Sequence, residues 1–166
     1  MNRRNVLRIS AMTVLGLVLV PSGGVAQQST LKEQLVGVWT LVSSDFTPAN
    51  GTKRQPFGAN PKGILIIDAG GRYAQITARP DRPKFKTPGQ ATTEELAAAA
   101  REFGANFGTW SVSEADKTFT RHFEAALGPN NEGIDLKAPV SLGGDEMKIV
   151  ETQPAGVRTD LYQRAK

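Results

Sequence analysis

Turn-forming residues cut the chain into eight short strand-like segments, a spacing that suits neither a helical bundle nor an alternating α/β fold. The clearest segment is 134–142. Ile134, Leu136, Ala138, Val140 and Leu142 are apolar, with Asp135, Lys137, Pro139 and Ser141 between them. Successive strand side chains point to opposite faces, so this period of two reads as a strand with one buried face. Pro139 has no N–H to give a ladder, which predicts an irregularity there. The other strands are read at 36–45, 63–68, 72–79, 107–113, 118–125, 146–152 and 157–164. Ala69-Gly70-Gly71, Glu114-Ala115-Asp116 and Gly143-Gly144-Asp145 are tight turns that join them into hairpins. The expected fold is all-β: an eight-stranded up-and-down antiparallel barrel, with an open two-sheet sandwich as the alternative.

Connections in such a barrel alternate between its ends. The three tight turns fall at one end, and the long segments Phe46–Pro61 and Pro80–Asn106 fall at the other. Variable loops on a rigid frame are where binding usually resides. The Pro80–Asn106 connection holds one helix. Thr92 and Glu95 form a capping box, Leu96, Ala99, Ala100 and Phe103 an apolar stripe, and Gly104 a stop. This predicts a cup with its floor near Trp39 and a lid near the 92–103 helix. Gln27–Gln34 reads as a polar leader with a short helical turn.

Residues 1–26 have the plan of a signal peptide. Arg3, Arg4 and Arg8 precede the apolar run Ile9–Val20, and Pro21–Ala26 is a small-residue exit. Cleavage after Ala26 leaves 27–166 as one barrel domain. Arg3-Arg4 also fits twin-arginine export, and an ordinary secretory signal fits equally well. Either implies a periplasmic or extracellular protein. No cysteine follows the apolar run, so no stable membrane anchor is expected after cleavage. Removing the three arginines from 20 basic residues leaves 17 against 16 acidic ones, a net charge of +1 rather than +4. No pull on nucleic acid follows from that balance, and basic residues are not interleaved with exposed aromatics. With no cysteine and one histidine, the chain offers no disulfide, thiolate site or multi-histidine metal site. No cofactor is implied. A monomer or small homo-oligomer is expected.

The opening strand carries Gly37-Val38-Trp39, with Trp39 read as a core aromatic at a barrel end. That strand, Leu35-x-Gly37-x-Trp39-x-Leu41-Val42-Ser43, and three further groups make a pattern: Pro56-Phe57-Gly58-x-x-Pro61-x-Gly63, Arg79-Pro80-Asp81-Arg82-Pro83, and His122-x-Glu124 with Pro129-Asn130. In order and spacing the pattern resembles the bacterial and fungal lipocalin-like domain family over nearly all of 35–164. The resemblance implies a barrel with a small-molecule cavity, and no substrate. Asn131 stands where that family often has an aromatic after Pro-Asn. Basic residues often stack on the tryptophan of lipocalin-like barrels, and Arg158 and Arg164 are the candidates here.

Two faces of strand 118–125 compete for the interior. His122 and Glu124 share one face and would suit an acid–base pair. Phe119, Arg121 and Phe123 share the other and, with the turn at Ala115-Asp116, lie with Trp110. The apolar set belongs inside, which favours Arg121 as an inward guanidinium in need of a partner or an anionic ligand. Arg79 and Arg82 in the Arg-Pro-Asp-Arg-Pro loop can hold an anion at the mouth, or pair locally with Asp81. Ser43, Asp45 and Glu151 are weaker candidates near the mouth. The expected function is binding of a small, mostly apolar or amphipathic molecule, with Arg79, Trp110, Phe119, Arg121 and Phe123 as ligand-binding residues. The alternative is an isomerase or cyclase using His122 and Glu124 as catalytic residues. A filled barrel acting through its surface is a third reading. Whether the protein is an enzyme stays open at this point.

Overall fold

The computed structural model describes residues 29–166, so the expected signal segment lies outside the described residues. α1 (Leu31–Leu35) leads into β1 (Gly37–Pro48), β2 (Lys62–Ile67) and β3 (Arg72–Ala78). After α2 (Thr93–Arg101) come β4 (Phe103–Ser113), β5 (Thr118–Ala126), β6 (Asp135–Gly143), β7 (Glu146–Gln153) and β8 (Gly156–Arg164). Each strand pairs antiparallel with the next, and β8 pairs with β1, so the barrel closes and the sandwich alternative falls. The capping box of α2 is present as read, with Thr92 accepting from the Glu95 N–H.

Most strand boundaries shift by a residue or so from the sequence reading, and three of the shifts have a physical reason. β4 begins at Phe103, because Phe103 and Gly104 pair with Ala78 and Thr77 and extend the ladder with β3. Phe103 therefore leaves the helical stripe. β1 runs on to Pro48 against β8, past a bulge between Leu41 and Ser43. The extra residue shifts the inward parity, so Leu41 and then Ser44 face inside. β3 stops at Ala78, and Arg79 instead donates its N–H to the Glu102 carbonyl.

The tight-turn end is packed shut. Trp39, Leu65, Ile67, Phe119, Met147 and Ile149 are almost wholly buried there. An aromatic the size of Trp39 hides about 200 Å², which contributes on the order of 5 kcal/mol. Its Nε1 donates to the Leu35 carbonyl at 2.8 Å. Arg164 lies over the indole at 4.1 Å and donates to the carbonyls of Gln34 and Val36. Gly37, at φ +141°, makes this possible: a Cβ there would sit 2.8 Å from an Arg164 nitrogen. Glu114 accepts the N–H groups of Leu31 and Lys32, orphan donors of the α1 start, and α1 plugs the floor with Leu31 and Leu35.

The other end has a split wall. The β6–β7 ladder runs from Gly143↔Glu146 only to Val140↔Ile149. The Val140 N–H points to β5, donating to the Lys117 carbonyl. Neighbouring N–H groups alternate in direction, so position 139 faces β7, where the register would oppose it to Val150. Pro139 has no N–H to give, and the ladder ends there.

Candidate ligand-binding site

A belt of polar side chains crosses the barrel above the packed floor: Ser44, Gln75, Arg121, Glu151 and Asp160, all buried. Gln75 donates from Nε2 to the Tyr162 hydroxyl at 2.8 Å, and its Oε1 accepts from Arg121. The other Arg121 terminal nitrogen donates to Glu151. The guanidinium also lies 5.7–5.9 Å from the rings of Phe119, Phe123 and Tyr73. Burial is the largest single influence and works against its charge, but the Glu151 carboxylate together with Tyr162 and Tyr73 raises the Arg121 pKa above its ordinary value. Burial pushes the Tyr73 and Tyr162 hydroxyls up as well.

Asp160 is the least settled member of the belt. Burial first, then the like charge of Glu151, push its carboxyl up to about 6, against the opposing pull of Arg158 and Ser44. Ser44 sits opposite it on β1. One Asp160 oxygen, the Tyr73 hydroxyl, the Asn106 side-chain oxygen and the Nε atoms of Arg121 and Arg158 are buried without a hydrogen-bond partner among the described residues. Buried polar atoms without partners are few in native proteins, so this cluster marks an unusual place.

Above the belt lies a cavity of about 490 Å³. Gln75, Arg121 and Glu151 form its base, and Phe123, Ile134, Leu136 and Pro154 give it an apolar side. Asn106, Asn131 and Arg158 stand around the rest. The β6 and β7 residues that line it lie beyond the end of the β6–β7 ladder, on the long-connection side. Its size is that of a small-molecule site. It combines an apolar side with polar groups of both charges at its base, an arrangement that suits an amphipathic molecule.

The structure separates the residues named from sequence. Arg121 and Phe123 line the cavity. Trp110 and Phe119 lie below it: their rings pack 5.9 Å apart, and Trp110 donates to the Asp68 carbonyl at the tight end. Arg79 is exposed, 3.9 Å from Glu102, and takes no part in the cavity lining. His122 and Glu124 lie on the outer face. His122 Nδ1 is 2.7 Å from Asp135, and Glu124 pairs with Arg72 at 2.8 Å. The two candidate catalytic groups are thus bound to different partners, and neither lines this cavity. Glu124 is held below the usual carboxylate range by its Arg72 hydrogen bond.

Two expectations about the mouth need correction. No residue of α2 lines the cavity, so the helix is not its lid. α2 instead flanks a separate outer groove with the 82–86 segment, where Arg82 donates to the Ala99 carbonyl and lies over the Phe103 ring at 5.2 Å. Arg158 does not stack on Trp39, since Arg164 holds that place. Arg158 lies in the cavity wall over the ring of Phe57, at 5.6 Å. Alternation along β8 turns Arg158, Asp160, Tyr162 and Arg164 to one side. Which arginine met the floor depended on strand direction, and the Phe57 contact depended on a loop far away in sequence.

Among solved structures the chain is similar to fatty-acid-binding protein 1 of Echinococcus granulosus, with 13% identity over 81% of this chain and 99% of that one and a TM-score of 0.39. No curated protein matches it. Residues 36–158 match the lipocalin-like domain family. With most of the barrel inside that match, the chain belongs to the lipocalin-like domain family.

Proposed function

We propose that the protein is an exported binding protein for one small amphipathic molecule, held in the upper half of the barrel. The observation that carries this reading is the cavity of about 490 Å³ at the split between β6 and β7, apolar on one side and polar at its base. The lower half is filled with side chains, so the ligand is short or compact. Its apolar part meets Phe123, Ile134, Leu136 and Pro154, and its polar end meets the belt. Binding rather than catalysis is favoured because the only histidine and its neighbouring carboxylate face away from the cavity. The basic front and small-residue exit of 1–26 support export, with the mature chain beginning at Gln27.

Native mass spectrometry of the protein taken from its exported fraction tests both parts. The expected spectrum shows a chain starting at Gln27 plus one small-molecule increment that disappears on denaturation. Leu136→Trp, which fills the cavity, removes the increment while the fold persists. An increment untouched by Leu136→Trp overturns the site, and full-length protein retained in the cytoplasm overturns the export.

A further inference from the structure

We propose that Arg158 is the anchor of this cavity and that its ligand is a monoanion, a carboxylate carried on an apolar body. The assignment rests on the cavity being a binding site and states which chemistry enters it. Two arginines face the space, and they differ in what they have left to give. Arg121 is committed: its terminal nitrogens donate to Gln75 and Glu151, and three aromatic rings surround it. Arg158 has no ion-pair partner among the described residues, and its Nε is buried without an acceptor. The Phe57 face attracts the cation but accepts no hydrogen bond in the plane of the guanidinium. A guanidinium partly withdrawn from water needs acceptors, and a ligand in the cavity it lines can bring them.

Charge decides the class of acceptor. Glu151 lies across from Arg158 on β7, but it is joined to Arg121, and those two charges cancel. Asp160, one inward position deeper on the same strand, is the other carboxylate near Arg158. Among the described residues Arg158 is therefore the one cation of the cavity not joined to a carboxylate, and Asp160 nearby repels an excess of negative charge, which disfavours a dianion such as a phosphate monoester. A carboxylate is planar and matches the guanidinium fork with two parallel hydrogen bonds. Phe123, Leu136 and Ile134 then receive the apolar body.

The test uses 2-naphthoate and 2-naphthamide, which share a shape and differ in charge, titrated calorimetrically into the mature protein. The wild type is expected to bind the acid about tenfold or more tighter than the amide, the effect of charge-assisted hydrogen bonds. Arg158→Gln brings the two affinities within about twofold, chiefly by weakening the acid; Arg158→Lys, which keeps charge without the fork, retains part of the preference. A preference that survives Arg158→Gln overturns the assignment. Equal binding of acid and amide by the wild type also overturns it, while the cavity reading stands. Binding of neither compound overturns the cavity reading and this assignment together.

Discussion

The two ends of this barrel are built from the same strands and held by different forces. At the closed end, apolar side chains interdigitate around Trp39, and the few polar atoms there, such as the Trp39 and Trp110 N–H groups, find carbonyls at once. At the open end, the interior is a belt of charges and amides whose members satisfy one another only in part. Pro139 prevents β6 and β7 from zipping together above it. Buried ion pairs add little net stability because desolvation offsets the Coulomb gain. The closed end therefore stabilises the fold, and the open end keeps a polar-based cavity at a cost that the closed end offsets.

The largest effect is expected at the floor. Trp39→Ala removes a wholly buried indole and strands Arg164 without its ring, costing about 3–5 kcal/mol. For a domain of this size that is a fall in Tm of roughly 10 °C or more, read by calorimetry. A loss of only a degree or two would break the contrast between the ends. Arg121→Met should cost about as much, 3–5 kcal/mol, for a different reason: it leaves Glu151 buried and unpaired. The distinction is recoverability. Adding Glu151→Met to Arg121→Met should restore most of the loss in urea unfolding, whereas no second change at the floor replaces the indole.

Sequence pattern carried the closed end further than the open one. Alternation and three tight turns are local signals, and they locate the strands, the closure and the end where Trp39 lies. The hairpin turn at Ala115-Asp116 also orients β5, because it places Trp110 opposite Arg121, the pair seen in the barrel. The belt rests on partners far apart in sequence: Arg121 meets Glu151 thirty residues on and Gln75 forty-six residues back. No period reports such contacts. The bulge in β1 adds one residue between Leu41 and Ser43 and brings in Ser44 rather than Ser43, a change of parity that side-chain alternation hides. The helix misled for a related reason. Its apolar stripe implied a covered site, but Leu96 is 54% exposed, and the β3–β4 ladder reaches back to Phe103 beside the end of α2.

Asp160 sharpens the comparison with an effect of opposite sign. Its folded pKa of about 6 lies above the ordinary value of 3.8, so between those limits the folded protein holds a proton that the unfolded chain releases. Stability should fall as pH rises through that window and stay lower above it, by about 3 kcal/mol for this group alone. Asp160→Asn mimics the protonated acid. It should change stability little near pH 4 and raise it at pH 8 by up to about 3 kcal/mol, as followed by chemical unfolding at both pH values. A loss at pH 8 would mean that the Asp160 charge is firmly paired with Arg158, which would leave that arginine less free to hold a ligand.

The smallest effect belongs to the outer face, where the sequence offered its most conspicuous chemistry. His122 is half-exposed beside Asp135, and Thr109 opposite it on β4 also faces out. Water screens such a pair and competes for both partners, so the contact adds little to folding. Strand geometry turns the side chain away from the cavity that its neighbour Arg121 enters. His122→Ala should therefore leave stability within about 0.5 kcal/mol and naphthoate affinity within about twofold. The matching change one residue earlier, Arg121→Met, alters the base of the cavity and its stability together. A tenfold loss of binding in His122→Ala would require β5 to present both faces to the ligand. That would need a bulge within Thr118–His122, where the register with β4 runs without a shift.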